Sequence, residues 1–205
     1  MVKSLKKLLK TAYLHLLACK TYCLLIVFPP RCAQLEIGSG PNKRKGWLTL
    51  DICSGADYVW DLRNGLPFKS NTFQRVYSSH VLEHFSFKDL QSLLEEIHRV
   101  LKPGGEFLIA VPDVTIYINA YLGKREADDL LYYKPAVPSD KPIDILNYIF
   151  YMDGHHRFMF DEVNLAYHCE VAGFVKCQKR TYDSGLDLAS RDHESLYMKC
   201  VKSEN

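Results

Sequence analysis

The sequence predicts an α/β fold, a single domain built on a mostly parallel sheet with helices on both faces. Two observations carry this reading. Short apolar runs alternate with turns and with helical patterns, the order that a covered parallel sheet imposes. The runs also end in glycine turns or acidic residues, and open sheets of this kind bind ligands beyond the carboxyl ends of their strands. The bulk numbers agree: 205 residues, 47% hydrophobic and 24% charged, suit one globular domain with a substantial core.

Residues 1–30 form a separate feature. Lys3, Lys6, Lys7 and Lys10 precede an apolar run from Tyr13 to Phe28, which His15, Lys20 and Thr21 interrupt. A secretory signal would end in small residues, where Phe28-Pro29-Pro30-Arg31 stands instead. A membrane span needs ~20 apolar residues, and Lys20 breaks this one. Leu5, Leu8, Leu9, Ala12 and Leu16 share a helical face. We read 1–30 as an amphipathic helical extension ended by Pro29-Pro30. Packing on its own domain, on a neighbouring domain or on a membrane surface all remain open for it, with a true signal or span as the last alternative.

The domain proper is expected over 31–205. Ala33–Ile37 reads as a strand broken by Gly38-Ser39-Gly40-Pro41, and Trp47–Ile52 and Tyr58–Asp61 as strands with an acid at the end. Arg75–Ser79 is a further strand. Helical spacing of Leu90, Leu93, Leu94, Ile97 and Leu101 follows, then a Lys102-Pro103-Gly104-Gly105 turn and a strand over Glu106–Val111. The tyrosine- and proline-rich stretch 115–155 has no clean period and is predicted to be a substrate-side insertion. Asp161 and Gly173 bracket another helix, and Leu196–Val201 is the last strand.

A net charge of +2 gives no basic field, so nucleic acid is not an expected partner. The seven cysteines include no CxxC pair, which argues against a zinc ribbon or a disulfide scaffold and for a reducing, cytoplasmic setting, peripheral to a membrane if the extension binds one.

Gly38 and Gly40 allow the backbone to approach a ligand where any Cβ would collide. Asp51 can accept from both hydroxyls of a ribose, and Asp61 from an adenine amino group. A nicotinamide fingerprint would place glycine where Lys43 stands, in the basic turn Lys43-Arg44-Lys45-Gly46.

The strings LEIGSGPNKRKGWLTLDI, DYVWDLRNGLPF, FQRVYSSHVLEHF and EEIHRVLKPGGEFLIAVPD, in this order over Gln34–Asp113, resemble the class I S-adenosylmethionine-dependent methyltransferases of the type 11 group. Gly154–Phe174 resembles the family's later helix-and-strand segment. The resemblance implies a Rossmann-like seven-stranded sheet with the last strand antiparallel, and S-adenosylmethionine as cofactor. By match, Glu36, Gly38, Ser39, Gly40 and Pro41 would lie at the methionine end, Asp51 and Ile52 at the ribose, Asp61 and Leu62 at the adenine, and Ser79 and His80 beside the reacting methyl.

Methyl transfer to a hydroxyl needs a proton acceptor, and histidine is suited to that task. His80, His84 and His155 are the candidates, with Asp113 after the fifth strand, and Tyr117 and Tyr121 as possible walls of an acceptor pocket. Of the adjacent His155 and His156, one at most is expected to face the site. On a helical turn His80, Glu83 and His84 would share a face, and two imidazoles with a carboxylate suit a divalent ion. The set also resembles the E-x-x-E-H metal site of ubiquinone-pathway O-methyltransferases, with His80 replacing the first glutamate. Metal ligation, base catalysis and plain structure stay open for it; a metal is not required. The expected function is O-methylation of a small or glycan-linked acceptor, a sugar hydroxyl first. The alternatives are a quinone, lipid-like or carboxylate acceptor at a membrane surface, or a non-catalytic cofactor-binding partner module.

Overall fold

The computed structural model describes residues 32–124 and 141–204, residue 30, and parts of a helix between residues 12 and 25. Seven strands form one sheet in the order β3-β2-β1-β4-β5-β7-β6. They are β1 Gln34–Ile37, β2 Leu48–Asp51, β3 Tyr58–Val59, β4 Phe73–Ser79, β5 Leu101–Pro112, β6 Phe174–Lys179 and β7 Ser195–Lys202. The first five run parallel, while β7 enters between β5 and β6 antiparallel to both. The chain reverses direction across the sheet between β1 and β4, which opens a crevice at their carboxyl ends.

Helix α1, Phe87–Val100, bridges β4 and β5. Ser86 caps it by accepting from the Asp89 N–H, and Leu90, Leu93, Leu94, Ile97 and Val100 form its buried face. That face meets Leu35, Ile37, Leu50 and Val76 of the sheet in one core, joined by Leu165 and Cys169 of α4, Glu162–Val171. Asp161 caps α4 in a reciprocal box with Asn164. Leu101 pairs with Phe73, and pairing resumes at Glu106 with Arg75, so the predicted turn 102–105 is looped out within β5.

On the opposite face, among the described residues, segment 180–188 provides cover: Leu186 packs with Tyr77 and Leu108, and Trp47 lies against them. Helices α2, Val114–Tyr121, and α3, Pro142–Tyr151, pack together through Tyr117, Ala120, Tyr148 and Ile149 beside the carboxyl end of β5. They are the described ends of the predicted insertion; residues 125–140 lie outside the described residues. In the N-terminal helix, the buried Thr21 donates to the Val59 carbonyl and Leu25 packs on the main core, whereas Leu16 is exposed. The predicted positions Leu5, Leu8 and Leu9 lie outside the described residues. No helix among the described residues is long and apolar enough to cross a membrane.

Candidate active site

The crevice holds a cleft of about 510 Å³, and Gly38, Gly40, Asp51, Ile52, Asp61, Leu62 and His80 line it. Gly38 has φ +66°, and a Cβ there would overlap the Val81 side chain. The glycine turn is pinned by Asp51, whose Oδ2 accepts from the Gly40 N–H at 2.9 Å and whose Oδ1 accepts from the Cys53 N–H at 2.8 Å. This arrangement fits a nucleoside-bearing cofactor: a backbone cradle that a Cβ would fill, and a carboxylate with acceptor capacity beside it.

Asp61 caps the short turn Leu62–Asn64, and the Arg63 guanidinium occupies its oxygens at 2.6 to 3.1 Å. Burial alone would raise this carboxyl, but the Arg63 hydrogen bonds outweigh it and hold the group below the usual range. Arg63, Cys53, Trp60, Phe85, Asp89 and Arg157 also line the cleft, and sequence reading did not single them out. Gly55 was missed too. A Cβ on it would stand 2.7 Å from Pro41 Cα, so its lack of a side chain lets the β2–β3 loop close against the glycine turn.

Several expectations need correction. Glu36 does not line the cleft; it is paired with Arg44 at 2.7 Å, and Arg44 also donates to the Gly185 and Leu186 carbonyls. It alternates along β1 with Leu35 and Ile37, which point into the helix-covered core, so its carboxylate faces the other way. Ser39 donates to the Gly40 carbonyl, and Ser39, Pro41 and Ser79 are absent from the cleft lining. Asp113 caps α2 by accepting from the Thr115 N–H and lines neither cleft nor adjoining cavity. Tyr117 is fully buried and donates to Glu194, while Tyr121 is exposed; the tyrosine on the cavity wall is Tyr148.

That cavity, about 280 Å³, adjoins the cleft and shares His80, His84 and His155 with it. His80 adopts φ 53° at the end of β4, a conformation uncommon outside glycine, and its N–H donates to the Ala110 carbonyl. Its tautomer follows from its partners. The Ser195 hydroxyl donates to the Arg191 carbonyl at 2.7 Å, so the His80 Nε2–H must donate to Ser195 Oγ at 2.8 Å, leaving a lone pair on Nδ1. Burial keeps this imidazole well below its ordinary pKa.

His80, Glu83 and His84 do not share a helical turn, because His80 sits in the left-handed region and only Leu82–His84 make a short 3₁₀ turn, yet His80 Nδ1 still lies 3.7 Å from Glu83 Oε1. The loop 154–158 supplies the missing partner. Its Arg157 and Phe158 N–H groups donate to the Glu83 carbonyl, and its His155 carbonyl accepts from His84 Nδ1 at 3.0 Å. His156, buried, is thereby placed against His84 with ring centroids 4.9 Å apart. One donor atom each from Glu83, His84 and His156 lies within 4.8 Å of the others, so His156 joins Glu83 and His84 in a compact donor set. Burial raises the Glu83 carboxyl to about 8 and lowers His156 to about 4.

Residues 35–109, which supply most of the cleft lining, match the family described as a methyltransferase domain. Over those residues the chain is similar to methyltransferase domains. The chain is 36% identical over 103 residues to the ubiquinone/menaquinone biosynthesis C-methyltransferase UbiE of Blochmanniella floridana, a match covering 44% of this chain and 40% of that protein. An uncharacterized methyltransferase of Synechocystis is 43% identical over 54 residues, 26% of each chain. The chain thus matches less than half the length of these curated relatives.

Among solved structures, a chain from the Haloferax volcanii complex of the Trm112 methyltransferase activator with a putative methyltransferase superposes with a TM-score of 0.53 at 15% identity, covering 93% of this chain and 90% of that one. A methyltransferase from Archaeoglobus fulgidus gives 0.52 at 16% identity, covering 90% and 93%. At such identities the likeness concerns the fold alone.

Proposed function

We propose that this chain transfers the methyl group of S-adenosylmethionine to a hydroxyl of a small polar acceptor held in the histidine cavity, with a sugar hydroxyl as the first choice. The observation that carries the proposal is the shared wall: His80, His84 and His155 line both the cofactor cleft and the cavity beside it. A methyl donor in one and an acceptor in the other would meet at these side chains, and alignment of this kind is worth ~10⁵–10⁸ M in effective concentration.

When bound, the cofactor supplies an electrophilic methyl on a sulfonium. The chain's own part is to position and to accept a proton. Asp51 and the Gly38–Gly40 turn hold the nucleoside side, and Asp61, once Arg63 swings aside, accepts from the base. His80, neutral and fixed by Ser195, offers Nδ1 to the acceptor hydroxyl as the methyl departs. Burial disfavours the imidazolium that results, so the proton must pass on to solvent or product in the same turnover.

The competing reading is a quinone-type acceptor, favoured by the name of the UbiE relative. Its aligned 103 residues are half the chain at most, and acceptor walls such as Tyr148 and His156 lie beyond the matched domain 35–109. Protein partners and membrane contact through the N-terminal helix belong to the same level of proposal.

Calorimetric titration with S-adenosylmethionine and S-adenosylhomocysteine, with Asp51→Ala as control, tests the cofactor half. Methyl transfer is then assayed on free and glycan-linked sugars and on a soluble hydroxyquinone. Binding by the wild type that the variant loses, with turnover on a sugar, is the expected result. Turnover on the quinone alone would reassign the acceptor, and a folded chain that binds neither cofactor form would leave a partner module.

A further inference from the structure

Beside the cofactor cleft, the geometry points to a divalent transition-metal site formed by Glu83, His84 and His156. The site does not depend on methyl transfer being the reaction. Three observations converge on it.

The first is proximity: one potential donor atom from each residue lies within 4.8 Å of the other two, in the wall of the cavity. His84 Nε2 is 3.9 Å from Glu83 Oε1. Around zinc, with bonds of ~2.0–2.1 Å, tetrahedral donors stand roughly 3.4 Å apart, so small side-chain rotations close the set.

The second is the tautomer of both imidazoles. His84 Nδ1–H donates to the His155 carbonyl at 3.0 Å, and His156 Nδ1–H donates to the Ile149 carbonyl at 2.6 Å. Each ring therefore carries its lone pair on Nε2. A backbone carbonyl holding the far nitrogen is the arrangement that orients metal-ligating histidines.

The third is an unmet need. Glu83 is 1% exposed, and its Oε2 has no hydrogen-bond partner. A buried polar atom left unpaired is destabilising, and ligation would remove that cost. Surface clusters of acids and histidines lack this feature. Arg191 lines the same cavity and opposes a cation there, while Glu194 on the same wall offsets it.

Two imidazoles and one carboxylate suit zinc or another first-row divalent ion, with positions left over for an acceptor oxygen. Such an ion would face the cavity, where it can hold and polarise a hydroxyl.

The test uses the full chain, stripped with a chelator and titrated with Zn²⁺ and Co²⁺. Calorimetry and elemental analysis should give one ion per chain, and Co²⁺ should show visible bands without a strong sulfur charge-transfer band. His156→Ala and the nearly isosteric Glu83→Gln should each weaken binding more than about tenfold, the low end even for loss of an outer-shell partner, with circular dichroism unchanged. Should His156→Ala fail to fold, Glu83→Gln carries the test. Folded wild type that takes up no stoichiometric ion, undiminished binding in both folded variants, or a sulfur band placing the ion on the cysteines would each overturn the site. S-adenosylhomocysteine titrated in parallel separates this failure from that of the methyl-transfer reading.

Discussion

At the scale of single residues, the cofactor turn is held by two glycines for different physical reasons. Gly38 is in the left-handed region and its absent Cβ makes room for Val81, whereas Gly55 is pressed against the backbone of Pro41. Gly38→Ala should cost about 1–3 kcal/mol, read as a lower melting temperature. Gly38→Ala/Val81→Ala should recover part of it, because the contact is relieved and the backbone strain is not. Full recovery in the double variant would mean that φ is not a constraint here. The proton-accepting role of His80 makes a second residue-level prediction. His80→Gln should lower kcat by ~10²–10⁴, the usual share of a positioned base, while cofactor binding persists. A variant that turns over at the wild-type rate would remove His80 from the chemistry.

At the scale of elements, α1 is the piece that joins the site to the core. Its apolar stripe packs under β1 and β4, and its capped start follows directly from the His84 turn. Ser86→Ala removes the acceptor of the Asp89 N–H and should destabilise by about 1 kcal/mol in urea unfolding; a change within error would show that water caps the helix equally well. The stripe was legible because a helix writes its burial into a 3.6-residue period. The insertion was not legible in the same way. Tyr117 and Tyr121 are four apart on α2, yet one is buried on Glu194 and the other exposed, since only the packing of α3 decides which side is inside.

At the scale of the whole molecule, two further outcomes are expected. Saturating S-adenosylhomocysteine, at ~100 times its dissociation constant, should stabilise the fold by about 2.7 kcal/mol and raise the melting temperature by roughly 5–11 °C for a chain of this size. No shift would count against a ligand site coupled to folding. Acid should destabilise the chain as well. His98 and His168 are both depressed below 6.5 by burial. A base depressed in the folded state contributes stability that is present above its unfolded pKa and lost as pH falls below it. Melting temperatures should therefore drop below about pH 6.5, with a shallower acid limb in His98→Asn/His168→Gln. Equal limbs in variant and wild type would place the proton uptake elsewhere.

The sequence by itself determined the parallel strands, the long helix and the cofactor crevice, because each is written locally. Alternation, helical period, turn glycines and strand-end acids fix Gly38, Gly40, Asp51 and Asp61 at one edge of the sheet. The tertiary structure alone decided the chemistry beside it. His84 and the His155 carbonyl are 71 residues apart in sequence and meet because loop 154–158 straps onto Glu83. Local spacing favoured His80, Glu83 and His84 as one helical face; the backbone at His80 is left-handed instead, and the returning loop adds His156 beside Glu83 and His84. Contacts closed by a returning loop leave no period in the chain, so their partners are set only when the sheet has brought both ends together.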